Sequence, residues 1–230
     1  MREMIWLFSN RRCGCSSEAM DYLYKKRWTH DDKSMIIYNG IELIRFRNCK
    51  NSNLKTEMGV SDKKILVSVG RLSDQKNPMF IIKILRKLKN VRKDWCMLWV
   101  GEGELEKKIK LKLIESDLSN FVFMLGKRND VEEILSISNC FLFPSKFEGL
   151  GIVLIEAQAA NVQCIVSDSV PKIADCGKML FLPIGENDEN IWVDEINNIL
   201  NGMHREKIDN EKMEKFDIVN LGKQLEEVYN

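Results

Sequence analysis

Six short apolar runs recur along the chain: Ile65–Val69, Cys96–Val100, Phe121–Met124, Cys140–Phe143, Cys164–Val166 and Met179–Leu182. Runs this short and continuous, set between polar turns, read as buried strands. The segments between them change period. Ile81, Ile84, Leu85 and Leu88 form one helical stripe, and Leu105, Ile109 and Leu113 form another with lysines on the opposite face. Asp130–Ser138 and Gly151–Ala160 read as a third and a fourth helix, and Trp192, Ile196, Ile199 and Leu200 line a fifth. Strand and helix alternating in this way predict an α/β fold, a doubly wound parallel sheet with helices on both faces. The polar run Cys49–Thr56 reads as a loop. Ile218, Leu221, Leu225, Val228 and Tyr229 keep helical spacing to the chain end.

Composition narrows the class. The chain has 230 residues, enough for one sizeable core with appendages, and its net charge of +1 gives no reason to expect a nucleic-acid partner. The lysines between Leu105 and Leu113 read as a solvated face. Seven scattered cysteines suit reduced thiols in a cytoplasmic protein. Cys13-Gly14-Cys15 has the wrong spacing for a zinc knuckle and reads as plain strand. No apolar stretch approaches the ~20 residues that span a bilayer. The start, Met1–Phe8, has too short an apolar core for a signal peptide. Ile5, Trp6 and Phe8 fit a helix packed on another domain better than one lying on a membrane.

Two places carry phosphate-binding chemistry. After Ile65–Val69 comes Gly70-Arg71-Leu72-Ser73-Asp74-Gln75-Lys76-Asn77-Pro78, then a helix. Arg71 offers a planar fork for two phosphate oxygens, and Lys76 a point charge. Either alone would read as solvated surface. After Cys140–Phe143 comes a turn containing Glu148, Gly149, Leu150 and Gly151, then a helix with Glu156 about five residues in. A strand, a glycine turn and a helix start leave backbone N–H groups free to hold an anion. Glu148 and Glu156 could grip hydroxyls on either side of it, a shape that suits sugar, diphosphate and ribose. Taken alone, the two glycines could be simple turn residues.

The ordered segments Ser34–Glu42, Val69–Asn77, Val100–Leu105, Phe123–Val131 and Phe143–Gly151, with the helix through Glu156, resemble the C-terminal half of a family 4 glycosyltransferase of the GT-B fold. The chain is especially similar to bacterial capsular and exopolysaccharide transferases, over about residues 12 to 229. The resemblance implies a Rossmann-like nucleotide-sugar-binding domain over 43–205. It implies a remnant of the N-terminal acceptor domain with the interdomain crossing over 1–42. It also implies a C-terminal helix over 206–230 crossing back toward that domain. Most of the N-terminal domain, its glycine-rich loop and its histidine have no counterpart. His30 and His204 match no catalytic position.

Carried onto these residues, the resemblance implies that Gly70, Arg71 and Lys76 meet the donor diphosphate. The backbone of Gly149, Leu150 and Gly151 would hold the distal phosphate. Glu148 would orient the sugar, Glu156 the ribose, and Lys127 and Arg128 would border the base. Arg71, Lys76 and Glu148 would carry the chemistry, with retention of configuration. No metal or other cofactor is expected. The implied partners are a nucleotide-sugar donor, UDP-linked by family habit, a polysaccharide or lipid-linked acceptor, and a separate chain or second copy completing the N-terminal half. The implied location is the cytoplasm or the inner face of the cell membrane, with at most peripheral contact. Lys172-Ile173 departs from the proline–glutamate pair of the family. Exposed apolar surface is expected along Ile5–Phe8 and the final helix.

Overall fold

The computed structural model describes residues 2–49, 53–204 and 206–229, with the side chains of Arg2, Glu3, Ile5, Glu227 and Tyr229 outside the described set. Helix α1 (Arg2–Phe8), strand β1 (Arg12–Gly14), helix α2 (Ser17–Tyr24) and strand β2 (Ser34–Ile36) come first, and β1 and β2 pair in parallel. Short helices α3 (Leu43–Arg47) and α4 (Leu54–Glu57) lead into β3 (Lys64–Val69), α5 (Pro78–Val91), β4 (Trp95–Val100), α6 (Glu106–Glu115) and β5 (Val122–Gly126). Then follow α7 (Val131–Ser136), β6 (Cys140–Phe143), α8 (Ile152–Ala159), β7 (Gln163–Ser167), β8 (Met179–Leu182), α9 (Glu189–Leu200), α10 (Asn210–Glu214) and α11 (Ile218–Tyr229).

Strands β3 to β8 form one parallel sheet in the order β5-β4-β3-β6-β7-β8. Side chains of successive strand residues point to opposite faces, and the core divides accordingly. Ile65, Val67, Leu98, Phe141, Phe143 and Val166 face one layer, built with α3, α7 and α8. Leu66, Met97, Trp99, Leu142 and Ile165 face the other, built with α5, α6 and α9. Because both faces are covered, the strands need no polar alternation, which is why they read as unbroken apolar runs. In α9, Trp192 is fully buried, meets Phe80 edge-on at 5.6 Å and donates its indole N–H to Pro183 O at 2.8 Å.

The polar run expected as a loop holds a helix instead. Leu54 is buried and starts α4, so one apolar anchor within a polar stretch is enough to turn the chain; residues 50–52 lie outside the described set. Near the end, Ile41 N–H donates to Phe216 O (2.8 Å) and Ile218 N–H to Ile41 O (3.0 Å). Tyr38 meets Phe216 edge-on at 5.2 Å. These contacts stitch the start of α11 to the crossing at Asn39-Gly40.

The apolar surface expected at the two ends is there in part. Phe8 is 80% and Ile218 47% exposed, and Leu7 and Leu225 are exposed as well. Trp6 differs. Its ring lies under the Arg12 guanidinium, 4.2 Å from the centroid, and beside Tyr24 at 5.8 Å. The side chains of Ile5 and Tyr229 lie outside the described residues. Among the described residues, no helix is long and apolar enough to cross a membrane.

Candidate functional site

Strand order reverses between β3 and β6. The chain leaves β3 toward α5 on one face and leaves β6 toward α8 on the other, so the two turns diverge and a crevice opens at the carboxyl ends of the strands. A cavity of about 430 Å³ occupies that place. Gly70, Arg71 and Lys76 line it from the β3 side. Glu148, Leu150, Gly151 and Glu156 line it from the β6 side. Residues predicted from two separate sequence stretches therefore meet at one site. Cys15 and Asn39 close it from the N-terminal segment. Cys15 lies just past β1 rather than within it, and the sequence marks neither residue as part of a site.

The β3 turn is held by backbone. Gly70 N–H donates to Val100 O (3.0 Å), Leu72 N–H to Glu102 O (2.9 Å) and Leu105 N–H to Leu72 O (3.0 Å). This lattice needs close approach: a Cβ on Gly101 would stand 1.9 Å from Gly70 O. Asn77, left-handed at φ +53°, ends the turn and Pro78 opens α5, where a missing N–H costs nothing. Arg71 is exposed and has no ion-pair partner among the described residues, so its fork is free.

The β6 turn is held by side chains. One backbone bond, Lys146 N–H to Gln75 O (2.8 Å), reaches it. The carbonyls of Ser145, Phe147 and Gly149 accept in turn from Ser167 Oγ, Gln75 Nε2 (2.9 Å) and Ser16 Oγ (2.6 Å). The N–H groups of Gly149, Leu150 and Gly151 have no acceptor among the described residues. Gly151, left-handed at φ +76°, precedes α8 without a side-chain cap, and a helix start leaves its first N–H groups unpaired. These free donors and the helix dipole favour an anion.

Lys76 Nζ sits 2.5 Å from Glu148 Oε1 and 4.4 Å from the centre of the buried Phe143 ring. The ion pair bridges the two turns and holds both groups inside the cavity. Glu156 lies one helical turn above the turn's N–H groups. Burial pushes its carboxyl up to about 7 from 4.5; Arg45 opposes this and Glu132 reinforces it. Arg45 itself is tied to Glu132 at 2.7 Å, which blunts its help to Glu156.

Lys127 and Arg128 do not reach this cavity. They follow β5, two strands from the reversal, on the same edge of the sheet but outside the cavity wall. Arg128 is forked onto Asp130, with Nε 2.8 Å from Oδ1. Neither histidine lines the cavity: His30 ends a short 3-10 turn, and His204 is clipped between Glu195 (2.8 Å) and Glu206 (3.0 Å). A groove of similar size, about 440 Å³, lies between α5 and α6, lined entirely from those helices and their ends.

Comparison with known proteins gives the family and the fold. Residues 52–215 match the family described as glycosyl transferases group 1. The putative glycosyltransferase EpsF of Bacillus subtilis is 27% identical over 199 residues, covering 85% of this chain and 52% of that protein. An Escherichia coli UDP-Gal:alpha-D-GlcNAc-diphosphoundecaprenol alpha-1,3-galactosyltransferase is 30% identical over 158 residues, covering 66% and 41%. The chain thus spans about half the length of the curated relatives it matches. Among solved structures, Anabaena Alr3699/HepE in complex with UDP and glucose superposes with a TM-score of 0.81 at 18% identity, covering 99% of this chain and 65% of that one. Sucrose-phosphate synthase from Thermosynechococcus elongatus superposes at 0.77 with 20% identity, covering 94% and 57%. The fold is that of the GT-B transferases, and the chain belongs to the glycosyl transferases group 1 family.

Proposed function

We propose that this chain is the donor-binding part of a retaining glycosyltransferase that moves a sugar from a UDP-linked donor to a polysaccharide or lipid-linked acceptor. The observation that carries the reading is the cavity at the strand-order reversal. It gathers two cations, two carboxylates and the backbone of Leu150 and Gly151 around one cavity of about 430 Å³, with Gly149 beside them in the same turn. The UDP complexes of the structural neighbour HepE support the choice of nucleotide.

In this reading the diphosphate lies between the turns. Arg71 and Lys76 meet it from the β3 side, and the N–H groups of Gly149, Leu150 and Gly151 hold the distal phosphate. As the bond between sugar and phosphate breaks, negative charge grows on the leaving diphosphate. Both cations then stabilise the transition state more than the bound donor. They supply the positive charge that a divalent metal would bring. Glu148 accepts hydrogen bonds from the sugar and keeps Lys76 aimed across the cavity. Glu156 accepts from the two ribose hydroxyls, which requires its carboxylate form. Lys127 and Arg128 border the base only if the donor extends along the strand edge past the cavity.

The domain reading follows: 43–205 binds the donor, while 1–42 and 206–230 belong to the side facing the acceptor domain. Work in the cytoplasm or at the inner face of its membrane fits a cytosolic donor. A second reading is a nucleotide-sugar-binding module that binds the donor in the same cavity and needs another chain for transfer. Calorimetric titration of UDP, with GDP as control, separates these readings from an inert fold. Saturable UDP binding supports a working donor site, and sugar transfer or its absence then divides enzyme from module. No binding by the folded chain would reject both.

A further inference from the structure

Ser16 stands outside every motif that pointed to the donor site. It lies 133 positions before the residue it touches. Its side chain is fully buried, and its hydroxyl does two things at once. It accepts from Ala19 N–H at 3.1 Å, capping α2, and it donates to Gly149 O at 2.6 Å. A hydroxyl carries one donor and two acceptor sites, so both bonds are compatible. Cys15, its neighbour, lines the same cavity, and its Sγ is 4.0 Å from where a Cβ on Gly149 would stand.

The placement of Ser16 is itself fixed. Strand β1 ends two residues earlier, and Ile37 N–H donates to Gly14 O at 3.0 Å. The Ile41 bonds to Phe216 and Ile218 hold the following crossing against the main domain. A rigid support therefore delivers a donor to a turn that has little backbone bonding of its own. The three carbonyl contacts alternate along that turn, at residues 145, 147 and 149, and come from three separate segments. Ser16 supplies the last one, at the first of the three residues whose N–H groups are free.

We propose that Ser16 is a positioning residue for the β6 turn. By holding the Gly149 carbonyl, it sets the N–H groups of Gly149, Leu150 and Gly151 at the spacing an anion requires. The segment before the six-stranded sheet is then part of the donor site's machinery and not only a link to an acceptor domain. This inference rests on the donor-site reading above, but the hydrogen bond can be tested without a ligand.

The test compares Ser16→Ala, Ser16→Thr and Tyr22→Gly by backbone NMR order parameters of the free full chain and by UDP titration. Order parameters report motion of the turn whether or not its N–H groups are hydrogen-bonded. Tyr22 is exposed on α2, so Tyr22→Gly loosens that helix while leaving the Ser16 hydroxyl in place. In the free protein, Ser16→Ala should lower the order of residues 145–151, Ser16→Thr should restore it, and Tyr22→Gly should leave the turn unchanged. UDP binding should weaken about five- to tenfold in Ser16→Ala, the loss of one neutral hydrogen bond, and recover in Ser16→Thr. Equal order over 145–151 in wild type and Ser16→Ala would overturn the proposal. So would an equal loss of order in Tyr22→Gly, since the effect would then belong to α2 as a whole. If wild type binds no UDP, the donor reading fails, while the order comparison still decides whether Ser16 holds the turn. If wild type binds and Ser16→Ala binds equally, this inference fails alone.

Discussion

The two turns that meet at the strand reversal are built in opposite ways. The β3 turn is locked by backbone bonds to the neighbouring turn after β4, with Gly101 pressed against Gly70. The β6 turn hangs on side chains from Ser16, Gln75, Lys76 and Ser167. A backbone lattice tolerates almost any side chain that does not invade it, so the β3 turn can present Arg71 at no structural cost. A turn held by distant side chains can be adjusted by single substitutions. It is the turn that offers free N–H groups and the bridging Glu148. The rigid side carries charge, and the adjustable side carries geometry.

The largest expected effect comes from breaking the lattice. Gly101→Ala puts a methyl group into Gly70 O and should cost roughly 3 kcal/mol or more of stability. Urea unfolding measures it; a loss under about 0.5 kcal/mol would mean that the β3 turn yields easily.

Removing charge should separate the turns. Arg71→Ala should weaken UDP binding by ~1.5–3 kcal/mol with little change in stability, because the side chain is exposed and has no ion-pair partner among the described residues. Lys76→Ala should do both. It removes the proposed phosphate contact and leaves Glu148, whose side chain is only 8% exposed, without its partner. Calorimetry and denaturant unfolding on the same samples give the two columns, and equal stability losses would erase the contrast.

A pH series sharpens it further. The Glu156 carboxyl sits at about 7 in the folded chain against 4.5 ordinarily, because burial penalises its charge. The folded state therefore holds this proton more tightly than the unfolded state. Glu156 thus contributes a stability loss as pH rises from about 4.5 through about 7. UDP affinity should move the other way, rising through pH 7 as the carboxylate forms. Glu156→Gln should flatten both curves; a UDP affinity that ignores pH between 6 and 8 in wild type would remove Glu156 from ribose recognition.

The smallest effect belongs to Lys146. Its ammonium pairs with Asp74, which is 84% exposed, at 2.7 Å. Solvent screens such a pair, so Lys146→Ala should shift stability by less than about 0.5 kcal/mol. A larger loss would show that this surface pair, and not the carbonyl contacts, holds the β6 turn.

What the sequence reveals follows the same division. The strands are legible because both sheet faces are covered, which leaves their apolar runs unbroken. Gly70, Arg71 and Lys76 are legible because they lie within seven consecutive positions. Glu148 and Glu156 are legible as one turn-and-helix unit, yet the 2.5 Å pair of Glu148 with Lys76 joins residues 72 positions apart. Ser16 is invisible for the same reason, at a greater distance. Lys127 and Arg128 lie beyond the cavity wall, a separation the sequence does not show, because a basic turn after a strand carries no mark of how far that strand lies from the reversal. Trp6 misleads because an apolar residue near an arginine can stack rather than face solvent.

A nucleotide diphosphate bound at the strand reversal, between these two turns, would be seen most directly by amide hydrogen exchange of the chain with and without saturating UDP. Protection is expected to be confined to residues 68–77 and 145–156, with residues 106–116 along the α5–α6 groove unchanged. Protection at that groove instead, or unchanged exchange at both turns under conditions where UDP binds, would contradict this placement.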